Sequence, residues 1–361
     1  MDELQRVDEL YRAFCQTLQG PLRAEAQNLA YTLGLAPARD TPWSAVFSNT
    51  ITLAAPALVA EAMPHVPVTT VREALLAHML AVIDAFATDR LKDGQVQQTW
   101  QIEALLAHVR RARDLAIQRL APAGPDATID FQAAEELTLH AIEEERSVLA
   151  GGAPAHIRRY RAISRAKQRL GIPATVALAT AAGWDGRRRG ALARMLESIW
   201  VGMQYWDDAM DWEEDWARGC AWALTLARGL GQGGSEVPEA GLEAQRTAPG
   251  APFNAPFNAP SSAPSSASFS ALFSAPTPEP VPAAVRRFVL ESGVLALLLR
   301  SASQEMRSAR RRADALGLQR VASWAAAREE QTSELARCEV ESPGYANRAR
   351  VLSVWAKAVL A

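Results

Sequence analysis

QYWDDAMDWEEDW, Gln204 to Trp216, sets six acids, three tryptophans and a tyrosine in thirteen positions. A solvated helix face explains the acids but not the tryptophans, and a buried core does the reverse. At about 100° per residue, Asp207, Asp208, Asp211 and Asp215 fall within about a quarter of a helix circumference. Gln204 and Trp200 project into the same sector, Glu214 lies at its edge, and Glu213 points away. Carboxylates this close repel one another unless a cation neutralises them. Mg²⁺ suits hard carboxylate oxygens and usually completes its octahedron with water and substrate phosphate. A solvated acidic face is the alternative. Against it stands LARMLESIWVGMQYW (Leu192–Trp206), which is apolar nearly all round, like a helix in the middle of a bundle. Acids at the end of such a helix stand at the mouth of an internal cavity.

Outward from that stretch, almost everything reads as helix. Ala, Leu, Arg, Glu and Gln dominate. Apolar residues recur at spacings of three and four over 3–19, 22–34, 71–92, 96–120, 130–149, 155–170, 173–183, 187–217, 286–316 and 318–339. Pro and Gly clusters separate these segments, and no run alternates with period two long enough for a sheet. An all-α bundle is expected. APFNAPFNAPSSAPSSASFSALFSAP (Ala251–Pro276) is a set of four-residue near-repeats and reads as disordered. The expected organisation is a main helical bundle over 1–230 holding both acidic helices. A disordered Ala/Pro/Ser-rich insertion follows over 231–285, and helices over 286–361 complete the same bundle.

Composition removes several function classes. The 361 residues carry 38 basic and 40 acidic side chains, a net charge of −2, so no field argues for nucleic acid or an anionic membrane. Cys15, Cys220 and Cys338 are too scattered for a disulfide framework or a zinc site. MDELQRVDEL lacks the apolar region of a signal peptide, and no stretch approaches a membrane span. A cytoplasmic protein is expected. The five histidines lack metal spacing, and no P-loop or Rossmann glycine pattern occurs.

Met203-Gln-Tyr-Trp-Asp207-Asp208-Ala-Met-Asp211-Trp-Glu-Glu-Asp215 resembles the second aspartate-rich motif of trans-prenyl diphosphate synthases, G-x-x-F-Q-x-x-D-D-x-x-D-x-x-x-D. The Gln and all four Asp positions match. Met203 replaces the Phe, and Trp200 stands where the Gly would be. Lys167, Gly171 and the small-residue helix ending at Ala182-Gly183 precede the motif in a similar way. The resemblance spans about residues 70–225. It implies the class I isoprenoid synthase fold, a helical bundle around a central cavity. Two facing helices would there hold several Mg²⁺ ions on the diphosphate of a prenyl substrate. On this reading Asp207, Asp208 and Asp211 are catalytic and, with Asp215, bind metal. A homodimer is compatible with it.

The facing acidic helix is expected in LAVIDAFATDRLKDGQ (Leu80–Gln95), which has Asp84, Asp89 and Asp93 but no D-D-x-x-D. On a helical wheel Asp89 and Asp93 flank the buried side, while Asp84 points away unless the helix kinks. Asp89 and Asp93 therefore rank ahead of Asp84 as metal ligands, with solvated helix-end acids as the alternative. Lys167, Arg158 and Arg165 are the cations expected on the diphosphate. Phe86, Trp200, Gln204 and Tyr205 are expected to line the cavity. There aromatic faces can stabilise an allylic cation shielded from water.

Chain-elongating synthases follow their first motif with Arg-Arg-Gly. Here Arg90, Leu91, Lys92, Asp93 and Gly94 stand instead. That departure puts a Mg²⁺-dependent terpene cyclase first and a chain-elongating prenyltransferase second. The cyclases' usual N-D-x-x-S-x-x-x-E is also missing. A non-catalytic helical protein with the same fold is the third reading.

Overall fold

A computed structural model describes residues 2–47, 50–120, 126–219, 221–231 and 281–346. Nearly all of the segment expected to be disordered over 231–285 lies outside the described residues. So do Cys220 and residues 347–361. Among the described residues there are sixteen α-helices and no strand. In order they are α1 (Glu3–Thr17), α2 (Pro21–Gln27), α3 (Leu29–Thr32), α4 (Trp43–Val46), α5 (Thr50–Val59), α6 (Val68–Lys92), α7 (Trp100–Leu120) and α8 (Asp126–Gly151). Then follow α9 (Ile157–Lys167), α10 (Pro173–Ala181), α11 (Gly186–Met210), α12 (Trp212–Ala217), α13 (Trp222–Gly231), α14 (Ala283–Glu291), α15 (Val294–Leu316) and α16 (Gln319–Glu341). A 3₁₀ turn, Gln168–Gly171, joins α9 to α10. None of these helices is long and apolar enough to cross a membrane.

Local chemistry sets the boundaries. Asp185 Oδ1 accepts the Arg188 amide at 2.7 Å and starts α11. The ring of His156 accepts the Arg158 amide at 3.1 Å and starts α9. Pro173 opens α10 at a position where its missing N–H costs nothing. Three expected helices are in fact broken. The 187–217 segment breaks at Asp211, whose φ of −107° and ψ of 6° end α11 and begin α12. The 286–316 segment breaks at Gly293, where a φ of +73° suits glycine alone. The expected 22–34 helix divides at Asn28 into α2 and α3. α5 went unpredicted because ITLAAPALV is buried almost all round and so has no amphipathic period.

The acidic helix α11 runs through the middle of the bundle. α15 packs along it, and α16 packs along α15. Gly202 permits that approach: a Cβ there would lie 2.9 Å from Met306 Cε and 3.3 Å from the Ala302 carbonyl. Three apolar clusters surround this axis. One joins α5, α6, α10 and the start of α11 to the α15–α16 turn. A second, around Tyr160, Tyr205, Trp212 and Trp222, packs beneath the acidic end. The third ties α1–α5 to α6 and α7. Each fully buried large side chain in them, such as Leu196, Ile199 or Leu298, contributes about 1.5–3 kcal/mol.

Candidate active site

A cavity of about 450 Å³ lies between α6 and α11. From α6 come Val82, Ala85, Phe86 and Asp89, and from α11 Trp200, Met203, Gln204, Trp206 and Asp207. Lys167, Gln168, Leu170 and Gly171 close one side, and Thr138 and Ile142 of α8 stand beside them. Val46, Phe47 and Thr52 come from α4 and α5, Met306 from α15, and Arg328 and Thr332 from α16. Phe47 and Phe86 pack ring on ring at 4.9 Å. Gly171 fits closely here: a Cβ would meet Trp200 Nε1 at 3.3 Å. The walls are mostly apolar, with polar groups gathered at a few points, as in small-molecule sites generally.

Lys167 organises the polar end. Its Nζ lies 3.2 Å from Asp89 and also pairs with Glu145 of α8, whose other oxygen accepts Trp222 Nε1 at 2.7 Å. Burial alone would lower the Lys167 pKa, but Asp89 and Glu145 outweigh it and hold the ammonium charged. Asp93, one turn beyond Asp89 at the end of α6, has its pKa raised to about 6 by burial and by the Asp89 charge. Arg146 is 3.6 Å away and does not offset this. Arg90 is close enough to Arg218, just past α12, for their charges to repel.

Several expected site residues point elsewhere. Asp84 is turned to α7, where Arg110 Nε donates to it at 3.1 Å and Arg113 Nη1 at 3.3 Å. It is 2% exposed and does not line the cavity. Asp208 also faces away. The Tyr160 hydroxyl donates to one of its oxygens and Gln204 Nε2 to the other at 3.1 Å. Burial, reinforced by the Asp215 charge, pushes its carboxyl well above the usual range. Tyr205, expected in the cavity, packs against the Tyr160 ring at 5.0 Å in the second core cluster. Arg158 is exposed, and Arg165 is held by Glu197. Neither lines the cavity. Because the helix breaks at Asp211, the four aspartates do not share one continuous face. Asp215, on α12, lies 3.2 Å from Arg218.

Of the expected residues, Asp89, Asp207, Lys167, Phe86, Trp200 and Gln204 meet around the cavity. Among the described residues, no three carboxylates, histidines or cysteines gather into a ready-made metal cage. Asp89 and Asp207 suit a looser role. Mg²⁺ keeps waters and binds through one or two carboxylates plus substrate phosphates. Arg328, Thr332, Met306, Phe47 and Glu145 were missed by sequence reasoning. In AAAREEQT, Arg328 looks like any charge on an exposed helix face.

No protein-family model matches the chain, and no curated protein matches it in sequence. Among solved structures, a polyprenyl synthetase from Streptomyces coelicolor A3(2) superposes with a TM-score of 0.64. The match covers 91% of this chain and 98% of the other, at 17% identity. The chain has the all-α isoprenoid synthase fold. The cavity between α6 and α11 takes one carboxylate from each helix, Asp89 and Asp207.

Proposed function

We propose that the protein is an enzyme acting on a prenyl diphosphate, and that it transfers the prenyl group to a second, alkene-bearing diphosphate. The observation that carries this reading is Asp89 and Asp207 on the wall of one apolar cavity, with Lys167 beside Asp89. Bound Mg²⁺ would neutralise the diphosphate and stabilise its departure. Asp89 and Asp207 would hold that ion, and Lys167 would add a fixed positive charge on the leaving oxygens. The allylic C–O bond breaks, and the electron pair leaves with the diphosphate. The acceptor's double bond then attacks the cation, and a proton is lost from the product. Phe86, Trp200 and Trp206 would keep water from the cation and offer it aromatic faces. The structural neighbour, a polyprenyl synthetase, supports transfer over cyclisation.

Cyclisation of a single prenyl diphosphate is the second reading, and one observation favours it. The cations following the α6 acids are engaged away from the cavity. Arg90 Nη1 donates to the Leu33 carbonyl at 2.9 Å, and Lys92 pairs with Glu143 at 3.0 Å. Incubation with C10, C15 and C20 allylic diphosphates and Mg²⁺, with and without isopentenyl diphosphate, separates the two. Prenyl transfer is expected to give a longer diphosphate only when both substrates are present. Hydrocarbon or alcohol from the allylic substrate alone would favour cyclisation. No release of diphosphate from any substrate would sink both.

A further inference from the structure

Glu145 of α8 is buried, yet both of its oxygens are engaged. Lys167 Nζ donates to Oε2, and Trp222 Nε1 donates to Oε1 at 2.7 Å. Trp222, the first residue of α13, is buried as well and stands edge-on to the Tyr160 ring at 4.8 Å. Its indole N–H is a donor only, so it holds the carboxylate in one orientation. Glu145 is thus fixed from behind and offers Lys167 a partner that stays in place.

Asp89 holds the same lysine differently. Lys167 Nζ lies 3.2 Å from Asp89 Oδ1, but the pair is not aligned for a hydrogen bond, and that buried oxygen accepts none. Asp89 lines the cavity, whereas Glu145 stands behind Lys167, outside its wall. A lysine is a compact charge on a flexible stem, free to turn from one acceptor to another. A divalent cation arriving at Asp89 repels the ammonium and must displace it from that oxygen. A buried ammonium left with no carboxylate at all would be strongly destabilised. Displacement is therefore easy only while Glu145 keeps Lys167 compensated.

We propose that Glu145, oriented by Trp222, is a positioning residue for metal binding: it keeps hold of Lys167 when Mg²⁺ takes Asp89. Asp89 is then the exchangeable partner of the lysine and Glu145 the permanent one. This rests on the reading of Asp89 as a magnesium ligand. Without Glu145, Lys167 has Asp89 alone and competes with the ion for it.

The test titrates Mg²⁺ alone into the full-length chain by calorimetry. Wild type is compared with Asp89→Asn, Glu145→Gln, Trp222→Phe, Lys167→Met and the double variant Lys167→Met with Glu145→Gln, each first shown to be folded. Glu145→Gln is expected to weaken Mg²⁺ about tenfold. Trp222→Phe, which changes no charge, should weaken it in the same direction by less. Lys167→Met should tighten Mg²⁺, because it removes the competitor. In the Lys167→Met background, Glu145→Gln should change the affinity less than about twofold, since Glu145 acts through the lysine. Equal weakening in both backgrounds would overturn the proposal, because Glu145 would then act on the ion by its own charge. Unchanged Mg²⁺ affinity in Glu145→Gln, with Asp89→Asn still abolishing binding, would overturn it and leave Asp89 as a ligand. Should Lys167→Met not fold, Trp222→Phe decides: wild-type Mg²⁺ affinity in that variant would overturn the proposal. Mg²⁺ binding that Asp89→Asn does not weaken, or no binding by wild type, would overturn the reading of Asp89 as a ligand and this proposal with it.

Discussion

Lys167 and His78 are two residues whose chemistry departs from that of a solvated side chain. Removing Lys167 leaves Asp89 and Glu145 close together and uncompensated. Lys167→Met should therefore destabilise the fold by about 3 kcal/mol near neutral pH, and by less in acid where the carboxyls take up protons. Urea unfolding near pH 5 and near pH 8 checks this. His78 is fully buried. One ring nitrogen lies 2.9 Å from the Thr52 carbonyl, and the ring stacks at 6.3 Å on Trp200. Burial lowers its pKa to about 4. The unfolded chain therefore binds the extra proton first, and stability falls as pH drops from about 6.5 toward about 4. Asp93 works in the opposite sense. Its pKa is raised to about 6, so the folded state binds a proton first and stability rises as pH falls through that value. His78→Gln should flatten the acid slope of stability, and Asp93→Asn should steepen it while raising stability at neutral pH. Unfolding midpoints across a pH series, without Mg²⁺, read both.

At the scale of elements, close helix approaches carry the structure, and two glycines separate a tolerant contact from an intolerant one. A Cβ at Gly229 in α13 would lie 2.2 Å from the Ala155 carbonyl oxygen, a backbone atom that cannot rotate away. At Gly202 the nearest atom is the flexible end of Met306. Gly229→Ala should cost about 3 kcal/mol and Gly202→Ala about 1 kcal/mol or less, part of it offset by alanine's helix propensity. Thermal melts of the two variants check the order. The same dependence on packing explains what could be read from the sequence. α15 was visible because strong helix formers and an apolar period coincide in it, and α6, α11 and α16 because they are long runs of strong helix formers. The placement of Asp208 was not. A helical wheel groups it with Asp207, yet its partner Tyr160 comes from α9, and no period within α11 can signal a contact made 48 residues away. The break at Asp211 had no proline or glycine to announce it. Arg328 carries no signature because the cavity wall it joins exists only once α16 has packed on α15.

For the whole molecule, the bundle brings one carboxylate from each of two long helices to a shared apolar cavity and sets a buried lysine beside the first. Two other acids of the motif-like stretches are turned into other work, Asp84 on Arg110 and Arg113, and Asp208 on Tyr160 and Gln204. A prenyl-diphosphate enzyme built this way depends on Asp89 and Asp207 far more than on Asp84. The most direct measurement is the rate of diphosphate release from farnesyl diphosphate with Mg²⁺ and isopentenyl diphosphate, in wild type, Asp89→Asn, Asp207→Asn and Asp84→Asn, each first shown to be folded. The expected result is Mg²⁺-dependent release that falls about 100-fold or more in Asp89→Asn and in Asp207→Asn, with a smaller loss in Asp84→Asn. Release at the wild-type rate in Asp89→Asn and Asp207→Asn, or no release by the wild type, would contradict it.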